Sequence, residues 1–433
     1  MDKLYAGVGR TVITPELGCH LAGYANNVFA TEVLDDLTAA ALVLRGGEKT
    51  VVLISWTLCS MDAALVADMR NGIRARHPEV AAEDIIVTAV HTHSGPSTFD
   101  SPGWGSKDHH YCDTILIPQT VKAVDAAFKD LRPAQMGINT TESKVGINRR
   151  QFGPDGQVGL GQNPWGQMDP TMTVIAFRGE DGTPIANIVH YGCHNTAIGR
   201  TGHVSRDWCG IMIDWLDKES GATTLFFNGC AGDVGPRLTN GKTTGSGNLG
   251  YMKQIGNLAA LDAVRAYQGI KEYRTVTLRT IAGEIHLPYA PVISLEEAQA
   301  GLDAYMKADE GESVTFRMRD FYQKIIDAHK NGLPTETERV SPVTLVKLGD
   351  LVLVPLGYEM FSEIGLRLRN YSPFQHTLAV SYSNDRLGYF PSRDQVIRGG
   401  YEVLMSRTTG VLNITDDADD YLIQDVLRLL EKF

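Results

Sequence analysis

TVVLISWTL (Thr50–Leu58) is short, apolar and rich in Val, Leu and Ile, which reads as a buried strand. Met61–Arg76 follows with apolar residues at helical spacing and runs out in Arg76-His77, cations that suit the carbonyl end of a helix. Ile85–Val90 is the next short apolar run and Tyr111–Leu131 the next amphipathic helix. Met172–Phe177 and Ile185–Tyr191, separated by Glu180-Asp181-Gly182, predict a hairpin. Helices are expected over Gly210–Glu219 and Leu249–Tyr267, with a strand at Thr223–Phe227 between them. Beyond Tyr273 the texture changes, and the one boundary we draw falls there. Arg274–Leu287 alternates like a strand pair, Ser294 with Glu297 forms a capping box opening a helix to about Asp309, and Thr315–Lys330 is a second helix. Val343–Leu348 and Leu351–Pro355 predict another hairpin, with closing helices at Ser362–Arg369 and Tyr421–Phe433. Gly153–Gly166 and Asn240–Gly250 read as surface loops. Strands and helices mixed in this way predict an α/β (mixed α+β) fold of layered sheets covered by helices.

The chain has 433 residues, 43 % of them hydrophobic and 21 % charged, which excludes disordered and fibrous classes. Lys plus Arg number 40 against 51 Asp plus Glu, a net charge of −11. Without a local basic patch, that surface repels phosphate backbones and anionic headgroups, so no nucleic-acid partner is expected. No apolar run approaches the ~18 residues of a membrane span, so no membrane insertion is expected. The six cysteines are scattered, with no CxxC pair. Met1-Asp2-Lys3-Leu4-Tyr5 does not read as a signal peptide, and the expected location is cytoplasmic. The expected partner is a small molecule, with room left for a homo-oligomer.

The chemistry concentrates where apolar runs end. Val90-His91-Thr92-His93-Ser94-Gly95-Pro96 closes one of them. Two residues apart on a strand, His91 and His93 would face the same side and reach one small volume. Imidazole is the commonest metal ligand, and a second ring beside it can transfer protons near neutral pH. Two strand-end histidines bonded to carbonyls would give the same letters, so a second segment matters. His190-Tyr191-Gly192-Cys193-His194-Asn195-Thr196 also ends an apolar run, and spacing alone leaves open which of its rings points inward. In Ser205-Arg206-Asp207-Trp208, Ser or Asp is expected to cap the following helix. Asn228–Pro236 (NGCAGDVGP) is a tight turn that lacks a phosphate loop's Lys-Ser or Lys-Thr, though its backbone donors would suit an oxyanion. Arg149-Arg150 suits a carbonyl or carboxylate. Glu359 and Tyr389 each follow another strand end.

Taken together, GVGRTVITP (Gly7–Pro15), AGYA (Ala22–Ala25), HTHSGP (His91–Pro96), GINRR (Gly146–Arg150), His190–Thr196, SRDWCG (Ser205–Gly210), AGDVGP (Ala231–Pro236), Glu359–Gly365 and SNDRLGY (Ser383–Tyr389) resemble the neutral/alkaline ceramidase superfamily of zinc-dependent amidases. The resemblance implies one catalytic Zn2+ held by His91, His194, Glu359 and Tyr389. It implies proton transfer by His93, an approach to substrate by Arg149, and substrate-side positions at Asn148, Asp233 and Gly235. It implies a catalytic domain spanning residues 1–433, and no C-terminal immunoglobulin-like domain is expected.

A zinc site of N and O ligands with an open position would activate water and polarise a carbonyl. Gly235 stands where ceramidases carry Ser, which argues against ceramide itself. The expected substrate is therefore small, polar and soluble, with a linear amide bond. A glycoside or ester acted on by the same site is the alternative, with the space left at Gly235 and the 153–166 loop forming a sugar-sized pocket. A lesser alternative is a non-catalytic, ligand-binding member of the family.

Overall fold

The computed structural model describes residues 3–24, 27–307 and 313–433. From the N-terminus come β1 (Leu4–Val12), β2 (Thr38–Gly46), β3 (Lys49–Trp56), α1 (Ala63–Arg74), β4 (Ile85–Ala89) and α2 (Ile117–Lys129). There follow β5 (Arg132–Glu142), β6 (Gly146–Phe152), β7 (Val158–Asn163), β8 (Thr171–Gly179), β9 (Pro184–Tyr191), α3 (Asp207–Ser220), β10 (Thr223–Asn228), β11 (Val234–Pro236) and α4 (Leu249–Gln268). The remainder contributes β12 (Leu278–Pro288), α5 (Leu295–Met306), α6 (Ser313–Asn331), β13 (Glu338–Leu348), β14 (Leu351–Pro355) and β15 (Glu359–Met360). It closes with α7 (Ser362–Tyr371), β16 (His376–Val380), β17 (Tyr389–Phe390), α8 (Tyr401–Ser406) and α9 (Ala418–Leu430).

Two sheets stack face to face with helices outside both. The larger runs β10-β9-β8-β5-β1-β2-β3-β4 and the smaller β12-β13-β14-β16. β3 shows why its sequence does not alternate. Val52, Ile54 and Trp56 pack under α1 and α2, while Val51 and Leu53 pack against Val346, Leu348 and Leu353 of the second sheet. Both faces are dry, and burying each such side chain contributes roughly 1.5–3 kcal/mol. On β1, a Cβ at Gly9 would stand 2.1 Å from the Ala123 carbonyl oxygen, so α2 rests directly on the strand backbone. α3 and α4 cover the β8–β9 end of the large sheet, and α7 and α9 cover the outer face of the small one. The mixed α/β layered fold is as expected.

Several expectations change in detail. Arg274–Leu287 is not a strand pair: one strand, β12, pairs over its whole length with β13, whose sequence lies fifty residues on and was invisible to local reading. The connection between them is the helical hairpin α5–α6, opened by the Ser294–Glu297 capping box. The predicted end of α5 at Asp309, like Ala25 of the AGYA stretch, lies outside the described residues. The Gly153–Gly166 segment is not only loop, because Val158–Asn163 pairs with β6. Among the described residues no helix is long and apolar enough to cross a membrane.

Candidate metal centre

The histidines arrive from the large sheet. β4 ends at Ala89, and His91 itself adopts φ 70° while its amide donates to the Leu58 carbonyl. Strand alternation therefore does not bring His91 and His93 together; a residue in the left-handed region does, and such strain in a bulky residue is typical of functional sites. The two Nε2 atoms stand 3.2 Å apart. Gly23, at φ +104°, lies so close to the His93 ring that a Cβ there would come within 2.5 Å of it. His91 Nδ1 lies 2.7 Å from the Cys59 carbonyl oxygen, and its ring stacks on Tyr382 at 4.0 Å between centroids. His194, three residues past β9, turns Nδ1 to the carbonyls of Ala231 and Val234 at 2.8 and 3.0 Å. The other groups of that segment are committed elsewhere: His190 bonds the Ala379 carbonyl, and the Tyr191 hydroxyl joins Gly146 and Ser143.

A ring whose Nδ1–H is donated to a carbonyl presents a lone pair at Nε2. Burial pushes the His91 and His194 imidazoles down, to about 3 and about 4, and keeps them neutral. Facing both is Glu359 on β15. Its Oε2 lies 3.5 Å from His91 Nε2 and 3.6 Å from His194 Nε2. Burial raises this carboxyl, but the neighbouring His91 and His194 more than offset it and hold the group below the ordinary carboxylate range.

These donors fit a cation. His91, His194 and Glu359 offer ligand atoms within 4.8 Å of one another, all from buried residues. His194 Nε2 and Glu359 Oε2 are buried without a hydrogen-bond partner, which is costly unless something else satisfies them. Two ligands on one zinc ion at ~2.0–2.1 Å and a tetrahedral angle lie ~3.3–3.4 Å apart, within a few tenths of an ångström of the separations here.

β15 and β17 pair in parallel with Glu359 opposite Tyr389, which puts the phenol beside the carboxylate. The Tyr389 hydroxyl accepts from Arg149 Nη2 at 2.9 Å. Arg149 and Arg150 grip the two oxygens of Glu402, on α8, at 2.8 Å each, and Glu402 is 1 % exposed. Sequence reasoning missed Glu402, because nothing in its local letters separates it from a surface glutamate. Tyr382 was missed for the same reason. Tyr24, which meets the His93 ring edge-on at 4.9 Å, was passed over inside AGYA.

Asn148 and Asp233 are not brought to the imidazoles. Asn148 donates to Asp233 at 3.0 Å, and the other Asp233 oxygen accepts from the Ser362 amide at the start of α7. Burial raises the Asp233 carboxyl to about 6. Asn148, Arg150 and Asp233 line a separate cavity of about 660 Å³ with Gln162, Trp165 and Asp394, so the 153–166 segment does border a pocket. Gly235 does not open space: a Cβ there would stand 2.5 Å from Thr243 Cβ, so Thr243 already fills the position. Three of the turn's amides are spent within the protein, Gly229 on Tyr191, Gly232 on Met360 and Val234 on Ala231, and those three do not serve an oxyanion. Neither Ser205 nor Asp207 is the N-cap of α3. Asp207 sits inside its first turn and holds the amides of Ala197 and Ile198, fixing the loop after His194.

A two-sheet α/β scaffold whose buried imidazoles and carboxylate face one point offers a place that could hold a cation, and comparison with known proteins gives the family. Residues 5–254 match the N-terminal region of the neutral/alkaline non-lysosomal ceramidases, and the chain belongs to that family. Neutral ceramidase B of Dictyostelium discoideum is 30 % identical over 192 residues, 40 % of this chain and 26 % of the relative. Neutral ceramidase of Oryza sativa subsp. japonica is 23 % identical over 237 residues, 49 % of this chain and 29 % of the relative. The matches thus span less than a third of the curated relatives' length. The crystal structure of neutral ceramidase from Pseudomonas aeruginosa superposes with a TM-score of 0.74 at 18 % identity, covering 100 % of this chain and 75 % of that one.

Proposed function

We propose that the protein is a cytoplasmic, zinc-dependent hydrolase that cleaves a linear amide bond in a small, polar, soluble substrate. One observation carries the reading: the Nε2 atoms of His91 and His194 and the Oε2 of Glu359 face one another in a buried place, the last two without hydrogen-bond partners. His91, His194 and Glu359 would hold the ion, with Tyr389 beside Glu359 as the fourth ligand. When bound, such an ion supplies Lewis acidity to a carbonyl and makes water a nucleophile at neutral pH. The chain's residues divide the remaining work. The carbonyls of Cys59, Ala231 and Val234 orient the ligand imidazoles. His93, 3.2 Å from His91, carries the proton to the leaving amine. Arg149 fixes the Tyr389 phenol and is itself fixed by Glu402. The family's amide chemistry supports the bond type.

A second reading, glycoside or ester cleavage, retains one support, the cavity beside Trp165, and has lost the other, the space at Gly235. A panel of N-acyl, ester and glycoside probes, offered to zinc-loaded and chelator-treated protein, tests both. We expect metal-dependent turnover of N-acyl probes. Turnover confined to glycosides, or undiminished turnover after metal removal, contradicts the proposal.

A further inference from the structure

Three guanidiniums act on this centre, those of Arg149, Arg317 and Arg386, and they are not alike. Arg149 and Arg150 share the buried carboxylate of Glu402. Arg317 has no such partner. It is 7 % exposed, on α6, and its guanidinium carbon lies 4.7 Å from the centroid of the Trp104 ring. Among the described residues it forms neither an ion pair nor a hydrogen bond. Arg386, three residues before Tyr389, stacks on Phe99 at 4.3 Å and makes one long contact with Ser101 Oγ at 3.4 Å, again with no carboxylate. Trp104 Nε1 is a third unmet donor, buried without a partner. Burial and the charge of Arg386 push the Arg317 guanidinium down, to about 10, with Tyr401, Glu359 and Tyr389 acting on it in the opposite direction.

An unpaired buried cation is costly, and a purely structural arginine at this depth would be paired as Arg149 is. Glu359 is no substitute, because a bound divalent ion would take up its charge. The α5–α6 hairpin that delivers Arg317 packs Met318, Phe321 and Ile325 over Phe361, Tyr389 and Met405, so the arginine is held beside the centre by a dry interface. Planar guanidiniums flanked by an indole N–H match an oxyanion, which accepts from several donors at once. We propose that the substrate carries an anionic oxygen group, seated between Arg317, Arg386 and Trp104, next to the bond addressed by the His91–His194–Glu359 centre. The inference rests on the hydrolase reading and narrows it: on an acidic protein, this pocket selects for a negative charge.

The test compares binding of N-butanoylglycine with its neutral isostere N-butanoylglycinamide by calorimetry on the full chain loaded with zinc. Methyl phosphate and methyl sulfate serve as further arms to tell a carboxylate from other oxyanions. The expected result is that one oxyanion probe binds at least ~10-fold more tightly than the neutral amide, the effect of a charged hydrogen-bonded contact. In Arg317→Met that preference falls to within about 2-fold at unchanged zinc content, and the thermal midpoint rises because an unpaired buried cation has gone. Should that variant not fold, Arg386→Met carries the same expectation for the preference. Equal binding of charged and neutral probes, no binding of any oxyanion probe, or an undiminished preference in the variant overturns the inference. A protein that takes up zinc but shows no anion preference sinks this inference alone. One that prefers anions but takes up no zinc sinks the metal reading alone.

Discussion

The two halves of the centre are held by different means. In the imidazole half, His91 and His194 come from the ends of large-sheet strands, their Nδ1 atoms turned to main-chain carbonyls and their rings neutral. In the charged half, Tyr389 is held by Arg149, and Arg149 and Arg150 by Glu402. Main-chain carbonyls are held by the backbone whether or not a ligand is present, so the imidazole half keeps its ring orientations without one. The charged half depends on side chains satisfying one another in a buried place, so losing one member leaves its partners exposed to the full cost of burial. The imidazole half should therefore lose function without losing the fold, and the charged half should lose stability first.

The largest effect is expected at the ligands. Glu359→Gln or His91→Ala should weaken zinc binding by ~100-fold or more, since groups that only support a metal ligand are already worth ~10–100-fold. Chelator competition measures the affinity, and an unchanged far-ultraviolet spectrum would show the fold intact. In the other half, Glu402→Ala should cost ~3–5 kcal/mol in urea unfolding, because two guanidiniums lose their buried counter-charge. Equal stability of wild type and Glu402→Ala would erase the contrast between the halves.

The imidazole half also makes a pH prediction for zinc-free protein. His91 and His194 titrate at about 3 and about 4 when folded, below the ordinary 6.5. The unfolded chain therefore binds more protons across that interval, and stability falls as pH drops from about 6.5 through 4. Replacing both with Gln should flatten this limb of the stability curve, and an unchanged slope would contradict the account. The smallest effect is at Gly235. Gly235→Ser drives a Cβ to 2.5 Å from the Thr243 Cβ and should cost ~1–3 kcal/mol, relieved in the double variant with Thr243→Gly, which alone removes that atom.

Legibility followed the reach of each interaction. The runs that became β3, β4 and α1 were readable because their signals are local, and HTHSGP marked His91 and His93 for the same reason. The carriers of charge were less legible. Glu359 and Tyr389 stood out through resemblance rather than spacing, since their convergence depends on the β15–β17 pairing. Glu402, Arg317 and Tyr382 had no signal at all: their burial is created by elements hundreds of residues away in sequence. The expectation at Gly235 failed because a missing side chain was read as empty space, when Thr243, eight residues on in the following loop, had taken it.

The most direct test is anomalous diffraction at the zinc edge from crystals of the zinc-loaded protein. The account predicts one strong peak bounded by His91 Nε2, His194 Nε2 and the Glu359 carboxylate. No peak there, or a peak that survives His91→Ala undiminished, would contradict it.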